Sequence, residues 1–447
     1  MAWMAGRRSV RVVVLAVACL TASSLSPGRG GAEVPTYDGR AATAAWRLQA
    51  AASIEKHRKA DLVVVVKDAD GQPIEGATVE VEQIRHAFPF GTAVSARWLA
   101  AEGTDGDHYR NLVRSSFNKA VLEGDLKWPA WMYGETVASA RAQTFAALRW
   151  LRQQQLAVRG HYLAWAPLSG YRPYVEHRGS AAQYRERLLS HVGEKLSAVG
   201  DLVTEWDVVN HPVGEDPDTL TSVLGFGFYP DLFRLARTAA PHARLYVNEG
   251  YILPHSGKRR TSYESFIRRL LAEGIAIDGI GMMGHFFDSN LASPAELITT
   301  LDRFASFGLP IQITEFDVRF GRAGEQMSLT PEQLRLQADF TRDFYTVAFS
   351  HPAVEGILMW GFWEGQHWYP TAALWGKDWK IKPNGEVFKK LVFEEWWSRD
   401  NQKTDQRGSS RMRLFQGTHL VRVRHAGRTV ESRITLPKQG ATVAVVL

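Results

Sequence analysis

Short apolar runs alternate with longer amphipathic stretches through the middle of the chain. Consecutive runs start 27 to 48 residues apart, which leaves room each time for a helix and its loops. The stretches between them, such as YESFIRRLLAEG, carry apolar residues at helical spacing. The eight runs are FGTAV (90–94), FNKAVLE (117–123), VRGHYLAW (158–165), WDVVN (206–210), RLYVNE (244–249), IDGIGMMGH (277–285), PIQITEFD (310–317) and GILMWGFW (356–363).

Eight strand–helix units predict an α/β protein with a closed (β/α)8 TIM barrel, which we place at residues 88–400. The main alternative is an open doubly wound sheet. That fold commonly carries a glycine-rich dinucleotide loop after its first strand, and FGTAV is followed by no such loop.

Further β-rich runs flank the barrel. Residues 61–87 contain two of them, 62–67 and 77–83, separated by the turn residues Asp70-Gly71 and Pro73, which predicts a β-hairpin. Residues 401–447 contain the short runs MRLF, HLVRVRH, ESRITL and TVAVVL. Because an isolated hairpin is only marginally stable, we expect the hairpin and the tail to form one small accessory β-module. Residues 33–60 predict a lead-in helix and linker.

The first 32 residues have the layout of a secretory signal peptide. Three arginines precede a nine-residue apolar run, Val12 to Leu20, and small residues follow up to a plausible cleavage site near Gly31-Ala32. A secreted, extracellular or periplasmic protein is therefore predicted. Lipid attachment at Cys19 is the less favoured alternative, since Ala-Val-Ala before it fits a lipoprotein signal poorly. A nine-residue run is too short to span a membrane, which takes about 20 residues.

The amino-acid composition and the net charge exclude several classes of protein and of binding partner. With 45% hydrophobic and 22% charged residues the chain is globular, and its single cysteine excludes a disulfide scaffold and a cysteine-ligated zinc site. The net charge of +6 owes much to four arginines among the first thirty residues, so no nucleic-acid partner is indicated. We expect a monomer with no cofactor and no metal.

Polar and aromatic side chains follow the predicted strands where catalytic residues of such barrels gather. Glu315 interrupts an otherwise apolar strand, and histidines and tryptophans end its neighbours. This mixture suits a sugar pocket, in which aromatic faces cover the C–H faces and polar groups bond the hydroxyls. The strand-end residues are Glu123, Lys127, His161, Trp165, Asn210, His211, Asn248, Glu249, His285, Glu315, Asp317, Trp360, Trp363 and Trp368.

Six ordered motifs resemble those of glycoside hydrolase family 10, the endo-β-1,4-xylanase family of (β/α)8 barrels. They are FNKAVLEGDLKW, RGHYLAW, TEWDVVN, GIGMMGH, PIQITEFDV and WGFWEGQHW, within residues 88–395. The resemblance implies a retaining hydrolase of xylan, with Glu315 as the nucleophile and His285 bonded to it. It also implies that Asn210 contacts the 2-hydroxyl of the reacting sugar. The remaining implied substrate contacts are Glu123, Lys127, His161 and Trp165, with Trp360 and Trp368 as aromatic walls.

One position departs from the family pattern at the chemistry itself. The family's acid/base glutamate follows the asparagine of WDVVN, and here that residue is His211. Retaining enzymes need a proton donor about 5–5.5 Å from the nucleophile. Three explanations stay open: His211 donates as an imidazolium, the loop residues Glu215 or Asp216 supply the proton, or the site binds sugar without cleaving it.

Three further departures concern the substrate. Gly124, Met283 and Leu168 stand where the family carries polar groups, so a related plant β-glycan is as open as xylan. A catalytically weak or inactive carbohydrate-binding protein is the alternative function. A metal-dependent hydrolase barrel ranks last, since FPFGTAV has no His-x-His pair and the chain has no HExxH motif.

Overall fold

The structure is a computed structural model that describes residues 36–132, 137–168, 179–214, 216, 218–254 and 257–447. The predicted signal peptide, Cys19 and Glu215 lie outside the described residues. No helix within the described part is both long and apolar enough to cross a membrane.

Sixteen strands and twelve α-helices make up the described part. The strands are β1 (Lys59–Lys67), β2 (Thr78–His86), β3 (Phe90–Val94), β4 (Lys119–Leu122), β5 (Ala157–Gly160), β6 (Ala164–Trp165), β7 (Glu205–Asn210), β8 (Arg244–Glu249), β9 (Gly279–Phe287), β10 (Ile311–Arg319), β11 (Val354–Met359), β12 (Arg399–Lys403), β13 (Ser409–Phe415), β14 (Gly417–His425), β15 (Arg428–Leu436) and β16 (Ala441–Val446). The helices are α1 (Trp46–Arg58), α2 (Ala96–Leu99), α3 (Thr104–Ser116), α4 (Trp128–Met132), α5 (Val137–Gln153), α6 (Ala181–Val199), α7 (Leu220–Leu224), α8 (Phe228–Ala239), α9 (Lys258–Ala272), α10 (Pro294–Ala305), α11 (Pro331–Ser350) and α12 (Pro383–Lys390).

The parallel sheet closes into a barrel. Its strand order is β5-β4-β3-β11-β10-β9-β8-β7-β6, and β5 also pairs with β7. Strands β5 and β6 both come from the run VRGHYLAW and share one position, so the ring has eight positions. The predicted (β/α)8 barrel is confirmed. Strands β3, β4, β7 and β10 are buried along their whole length, and in β7 (EWDVVN) and β10 (IQITEFDVR) the buried residues include polar as well as apolar side chains.

Local capping signals start several of the outer helices. Ser293 and Glu296 form a reciprocal capping box at α10, with Pro294 in its first turn. Thr330 and Gln333 do the same at α11. Each box satisfies backbone N–H groups that the helix leaves unpaired, which fixes where the chain turns from loop to helix.

The interior of the barrel holds a buried ionic network. Glu205 accepts from Lys119 at 2.6 Å and from Arg159 at 2.8 Å. Arg159 also bonds Asp207, and Asp207 in turn contacts His161 at 2.9 Å. Every charge here has an opposite partner, which a low-dielectric interior requires. The network links the barrel core to a histidine, His161, near the carboxyl ends of the strands.

The flanking strands form two small sheets with a shared core. One has the order β13-β1-β16 and the other β12-β2-β14-β15. Alternate residues of each sheet meet in the core, among them Leu62, Val64, Val79, Val421 and Val423. The predicted accessory β-module is present as these strand-rich sheets.

The predicted hairpin is wrong. Strands β1 and β2 lie in different sheets, with β1 between β13 and β16 and β2 between β12 and β14. The alternation of both strands was correctly recognised. Alternation alone does not choose a neighbour, and the tail strands satisfy the backbone groups of both. Strand β12 was also missed, because RDNQK has no apolar alternation.

An aromatic joint connects the module with the barrel. The rings of Phe349 and Trp396 stack at 4.3 Å, and His86 packs edge-on to Phe349 and Phe90. The Nε2 atom of His86 lies 3.0 Å from the Trp396 carbonyl, and its Nδ1 accepts from the Phe88 N–H. Both bonds need a neutral ring.

We expect acid to destabilise the fold through the buried histidines of this module. Burial lowers the pKa of His86 to about 3 and that of His419 to about 4. An unfolded histidine binds a proton below about pH 6.5. The free energy of unfolding should therefore fall as the pH drops from about 6.5 toward 4, by about 1.4 kcal/mol per pH unit for each histidine.

Urea unfolding at pH 7 and pH 4.5 measures this effect. His86→Phe should be less stable than wild type at pH 7 but lose less stability on acidification. His242, an exposed histidine bonded to Gly200, provides the matched control, His242→Phe. Equal slopes for wild type and His86→Phe would contradict the assignment.

Candidate active site

Every one of the ten residues predicted for the site lines a single cleft of about 250 Å³ at the carboxyl ends of the barrel strands. The cleft is lined by Glu123, Lys127, His161, Trp165, Asn210, His211, His285, Glu315, Trp360 and Trp368, together with Gly250, Tyr251, Met283 and Arg319. The strand-end prediction therefore brought together residues that lie up to 245 positions apart in sequence.

A local irregularity of β10 aims Glu315 into the cleft. The register between β10 and β9 shifts between Ile313 and Glu315. As a result, consecutive side chains reach one partner: Thr314 Oγ1 donates to Asn248 Oδ1 at 2.8 Å, and Asn248 Nδ2 donates to Glu315 Oε1 at 3.2 Å. In a regular strand these two side chains would face opposite sides.

The second oxygen of Glu315 pairs with a histidine. His285 Nε2 lies 3.1 Å from Glu315 Oε2. Burial alone would raise the pKa of Glu315, but the hydrogen bond from His285 and the positive charge of that ring outweigh it and lower that pKa. The carboxylate is therefore ionised at neutral pH, as a nucleophile must be.

A second carboxylate holds His285. Its Nδ1 lies 3.0 Å from Oδ1 of Asp317. Asp317 is fully buried, and its other oxygen, Oδ2, accepts a hydrogen bond from Trp368 Nε1 at 2.9 Å. Although burial opposes it, the two carboxylates raise the pKa of His285 to about 9. The ring is thus a cation between two anions. Asp317 also fixes one aromatic wall, since Arg319 beside it lies over the Trp368 ring at 4.9 Å.

Asn210 and His161 face the same nucleophile. Asn210 Oδ1 accepts from Asn248 Nδ2 at 2.8 Å, so Asn248 connects Asn210 with Glu315. His161 packs edge-on against Trp360 at 5.0 Å. Burial lowers the pKa of His161, and its bond to Asp207 only partly offsets that effect. A neutral ring suits a contact with a sugar hydroxyl.

Glu123 is the one cleft carboxyl group whose pKa rises. Burial is the main cause, Lys127 opposes it and the negative charge of Glu315 adds to it. Lys127 and Glu123 lie together at the end of β4. This pair offers one cation and one acid group for hydroxyl contacts.

His211 is held by Glu249. Its Nδ1 lies 2.9 Å from Glu249 Oε1, and its ring packs edge-on to Trp165 at 4.7 Å. The backbone at His211 has φ of +55°, which is uncommon for a residue with a side chain. Asp216 accepts from the Asp218 N–H at 2.9 Å and is outside the cleft lining. Glu215 lies outside the described residues.

Sequence reasoning missed two residues that support the cleft. Asn248 was noted only as a strand-end residue, and its three bonds make it the centre of the site. Lys195 lies fully buried on α6, where its Nζ donates to the carbonyls of Leu126 at 2.7 Å and Tyr162 at 3.2 Å. Burial lowers the pKa of Lys195 to about 7. A lysine on a helix gives no sequence signal for this role.

Among the described residues, no group of three or more His, Cys, Asp or Glu side chains is arranged to hold a metal ion. An ionised carboxylate instead lies between a histidine cation and an asparagine, at the base of a tryptophan-walled cleft in a (β/α)8 barrel. Such a carboxylate, placed to attack an anomeric carbon, is one of the two groups that a retaining glycoside hydrolase needs.

The chain belongs to glycosyl hydrolase family 10, whose family model matches residues 81–391. Anti-sigma-I factor RsgI6 of Acetivibrio thermocellus is 32% identical over 391 residues, which are 86% of this chain and 47% of that protein. Endo-1,4-beta-xylanase 1 of Arabidopsis thaliana is 27% identical over 83% of this chain and 37% of its own length. The chain thus spans less than half the length of these two relatives.

Solved structures agree with the fold. The native xylanase 10B of Thermotoga maritima superposes with a TM-score of 0.60 at 25% identity, covering 69% of this chain and 96% of that one. The xylanase 10B of Thermotoga petrophila, solved with xylobiose, gives the same TM-score at 24% identity and shows the likeness of fold.

Proposed function

We propose that the protein is a secreted retaining glycoside hydrolase that cleaves β-1,4 bonds in xylan or a related plant β-glycan. The observation that carries the proposal is the ionised Glu315 held between His285 and Asn248. The names of the xylanase relatives support the substrate class. The predicted signal peptide supports export, and a monomer remains the expected state.

In the first step a Glu315 oxygen attacks the anomeric carbon and the glycosidic C–O bond breaks. The leaving oxygen takes up one proton, and the sugar is left as an ester of Glu315. In the second step water attacks that carbon, gives up a proton and releases Glu315. His285 keeps the nucleophile oriented and its charge compensated throughout. Asn210, fixed by Asn248, would bond the 2-hydroxyl of the reacting sugar.

His211 is the proposed acid/base, with Glu215 as the competing group. His211 lines the cleft, and histidine is the side chain that most often serves as a general acid or base in enzymes. Glu215 has to be tested by substitution.

The cleft carries fewer hydrogen-bonding groups than its family pattern. Met283 lines it where the resemblance implies a glutamine, and an added Cβ at Gly124 would meet open space. Each lost contact weakens sugar binding by about 0.5–1.5 kcal/mol. A differently substituted β-glycan is therefore a candidate beside plain xylan.

The alternative is a carbohydrate-binding protein that retained the cleft. The replaced acid/base favours it, and one relative bears the name of an anti-sigma factor rather than of an enzyme. If this chain were such a binding protein, Glu315 would contact the sugar and would not act as a nucleophile.

One substrate pair tests the proposed function. A 2,4-dinitrophenyl β-xyloside needs no proton donor for departure of its phenolate, whereas xylohexaose does. We expect the purified protein to hydrolyse both, with release of β-configured sugar visible by proton NMR. Hydrolysis of the aryl substrate alone would mean that no competent donor is present. Glycan binding without turnover of either would establish the binding protein instead.

A further inference from the structure

Behind His211 lies a carboxylate, Glu249, that the reaction described above has not used. Glu249 ends β8 and has no exposed surface. Its Oε1 accepts from the Gly250 N–H at 2.8 Å, and its Oε2 accepts from the Val213 N–H at 2.9 Å. The Nδ1 of His211 lies 2.9 Å from Oε1. Backbone donors on both oxygens favour an ionised carboxylate.

We propose that Glu249 is the positioning residue of a His211–Glu249 dyad that presents Nε2 of His211 to the glycosidic oxygen as proton donor and acceptor. The inference rests on the proposed hydrolase function and adds a residue to it. Glu249 touches no substrate in this scheme. It acts through the histidine.

The geometry decides which ring nitrogen carries the exchangeable proton. Against an ionised Glu249, Nδ1 must be the hydrogen-bond donor and stays protonated in both states of the ring. Nε2 is then the atom that gains or loses a proton. It makes no hydrogen bond to any residue within the described ranges, and the His211 side chain keeps 19% of its surface exposed in the cleft.

The ring has little freedom to turn away. Trp165 contacts one side edge-on at 4.7 Å. On the other side, a Cβ added to Gly250 would lie only 3.0 Å from Cε1 of His211 and 3.2 Å from Sδ of Met283. The positive φ of His211 directs its side chain into this slot. Residue 250 must therefore be small for the histidine to fit.

The charges around His211 leave Glu249 as its direct partner. From β9 and β10, the titratable groups that share the cleft are His285, Glu315 and Arg319; His285 pairs with Glu315, and Arg319 pairs with Asp317. From α9, Arg259 lies near Gly214 and over the Tyr251 ring. Asp216 follows in the same loop as His211 and bonds the Asp218 backbone.

The proton balance closes without another reactant. In the first step Nε2–H protonates the leaving oxygen as its bond to the anomeric carbon breaks, and the ring becomes neutral while its Nδ1–H stays on Glu249. In the second step Nε2 accepts the proton of the attacking water as Glu315 leaves.

Glu249→Gln tests the dyad. A glutamine can donate as well as accept, so the ring is no longer fixed in one tautomer and loses the stabilisation of its cation. For xylohexaose we expect kcat/KM to fall about 10- to 100-fold. The alkaline limb of its pH profile should move to lower pH, because the imidazolium loses the negative charge beside it. Departure of dinitrophenolate, seen as the pre-steady-state burst, should change little. Glu249→Asp should restore part of the xylohexaose activity.

Two measurements keep the test decisive. Glu264→Gln, which removes a carboxylate paired with Arg303 outside the cleft, is the control and should match wild type in all three readouts. Nitrogen-15 NMR of wild-type protein labelled at histidine should show His211 with Nδ1 protonated above its titration point, whether or not the Glu249 variants fold.

An unshifted alkaline limb in folded Glu249→Gln, or a His211 ring protonated at Nε2 when neutral, would overturn the dyad. If His211→Ala still abolished xylohexaose cleavage, the hydrolase function would survive that result. If wild type cleaved neither substrate, the proposed function itself would fail first.

Discussion

Glu315→Ala should lower kcat/KM for 2,4-dinitrophenyl β-xyloside by about 10⁴-fold or more, because the covalent intermediate can no longer form. No proton donor is needed with this substrate, so the loss reports on the nucleophile alone. The chain should still fold, because the Glu315 side chain contributes no apolar contact to the barrel core. The rate of dinitrophenolate release measures the effect.

Added azide makes the test specific. A small anion can enter the space left by the missing carboxylate and attack the anomeric carbon from the same face, which gives an α-glycosyl azide. Rescue with that stereochemistry identifies Glu315 as the nucleophile. Glu264→Ala serves as the control and should behave as wild type, with no azide product. Full activity of Glu315→Ala would remove the basis of the retaining mechanism.

The barrel was predictable because its strands are buried on both faces. Strands such as β7 and β10 then appear as short runs of apolar residues broken by a few buried polar ones, and the spacing between runs leaves room for a helix each time. The third run was correctly predicted to occupy one position in the ring, although it holds two short strands, β5 and β6. The break between them has no counterpart in the apolar pattern.

The accessory module was less predictable. Each strand of a small sandwich can pair with several others, and alternation defines a strand's buried face but not its neighbour. Proximity in sequence suggested that β1 pairs with β2, whereas β1 instead pairs with the tail strands β13 and β16. The polar β12 gave no signal because its contribution is backbone pairing with β2.

The cleft residues were predictable because parallel strands end on one face. Which of them bond each other was not. Asn248 joins Asn210 to Glu315 only because a register shift in β10 brings Thr314 and Glu315 to the same side. The pairing of His211 with Glu249 depends likewise on a backbone conformation at His211 that its sequence does not indicate. Strand-end position identifies members of a site, while local backbone irregularities decide their partners.

His211→Ala should separate the two halves of catalysis. For xylohexaose, whose leaving group is an alkoxide, we expect kcat/KM to fall about 10²- to 10⁴-fold, the range of general acid catalysis. For the dinitrophenyl substrate the first step needs no acid, so the burst of dinitrophenolate should persist. The second step, which needs a base to activate water, should become slow and limit the steady-state rate.

Azide distinguishes His211 from Glu215 in this experiment. In His211→Ala the intermediate on Glu315 still forms, and azide needs no base, so turnover should rise and yield a β-glycosyl azide. Glu215→Gln should show neither the loss nor the rescue if His211 is the donor. The reverse pattern would assign the proton to Glu215 and leave His211 as a sugar contact. Because the alanine variant also removes the partner of Glu249, its xylohexaose loss should be at least as large as that of Glu249→Gln.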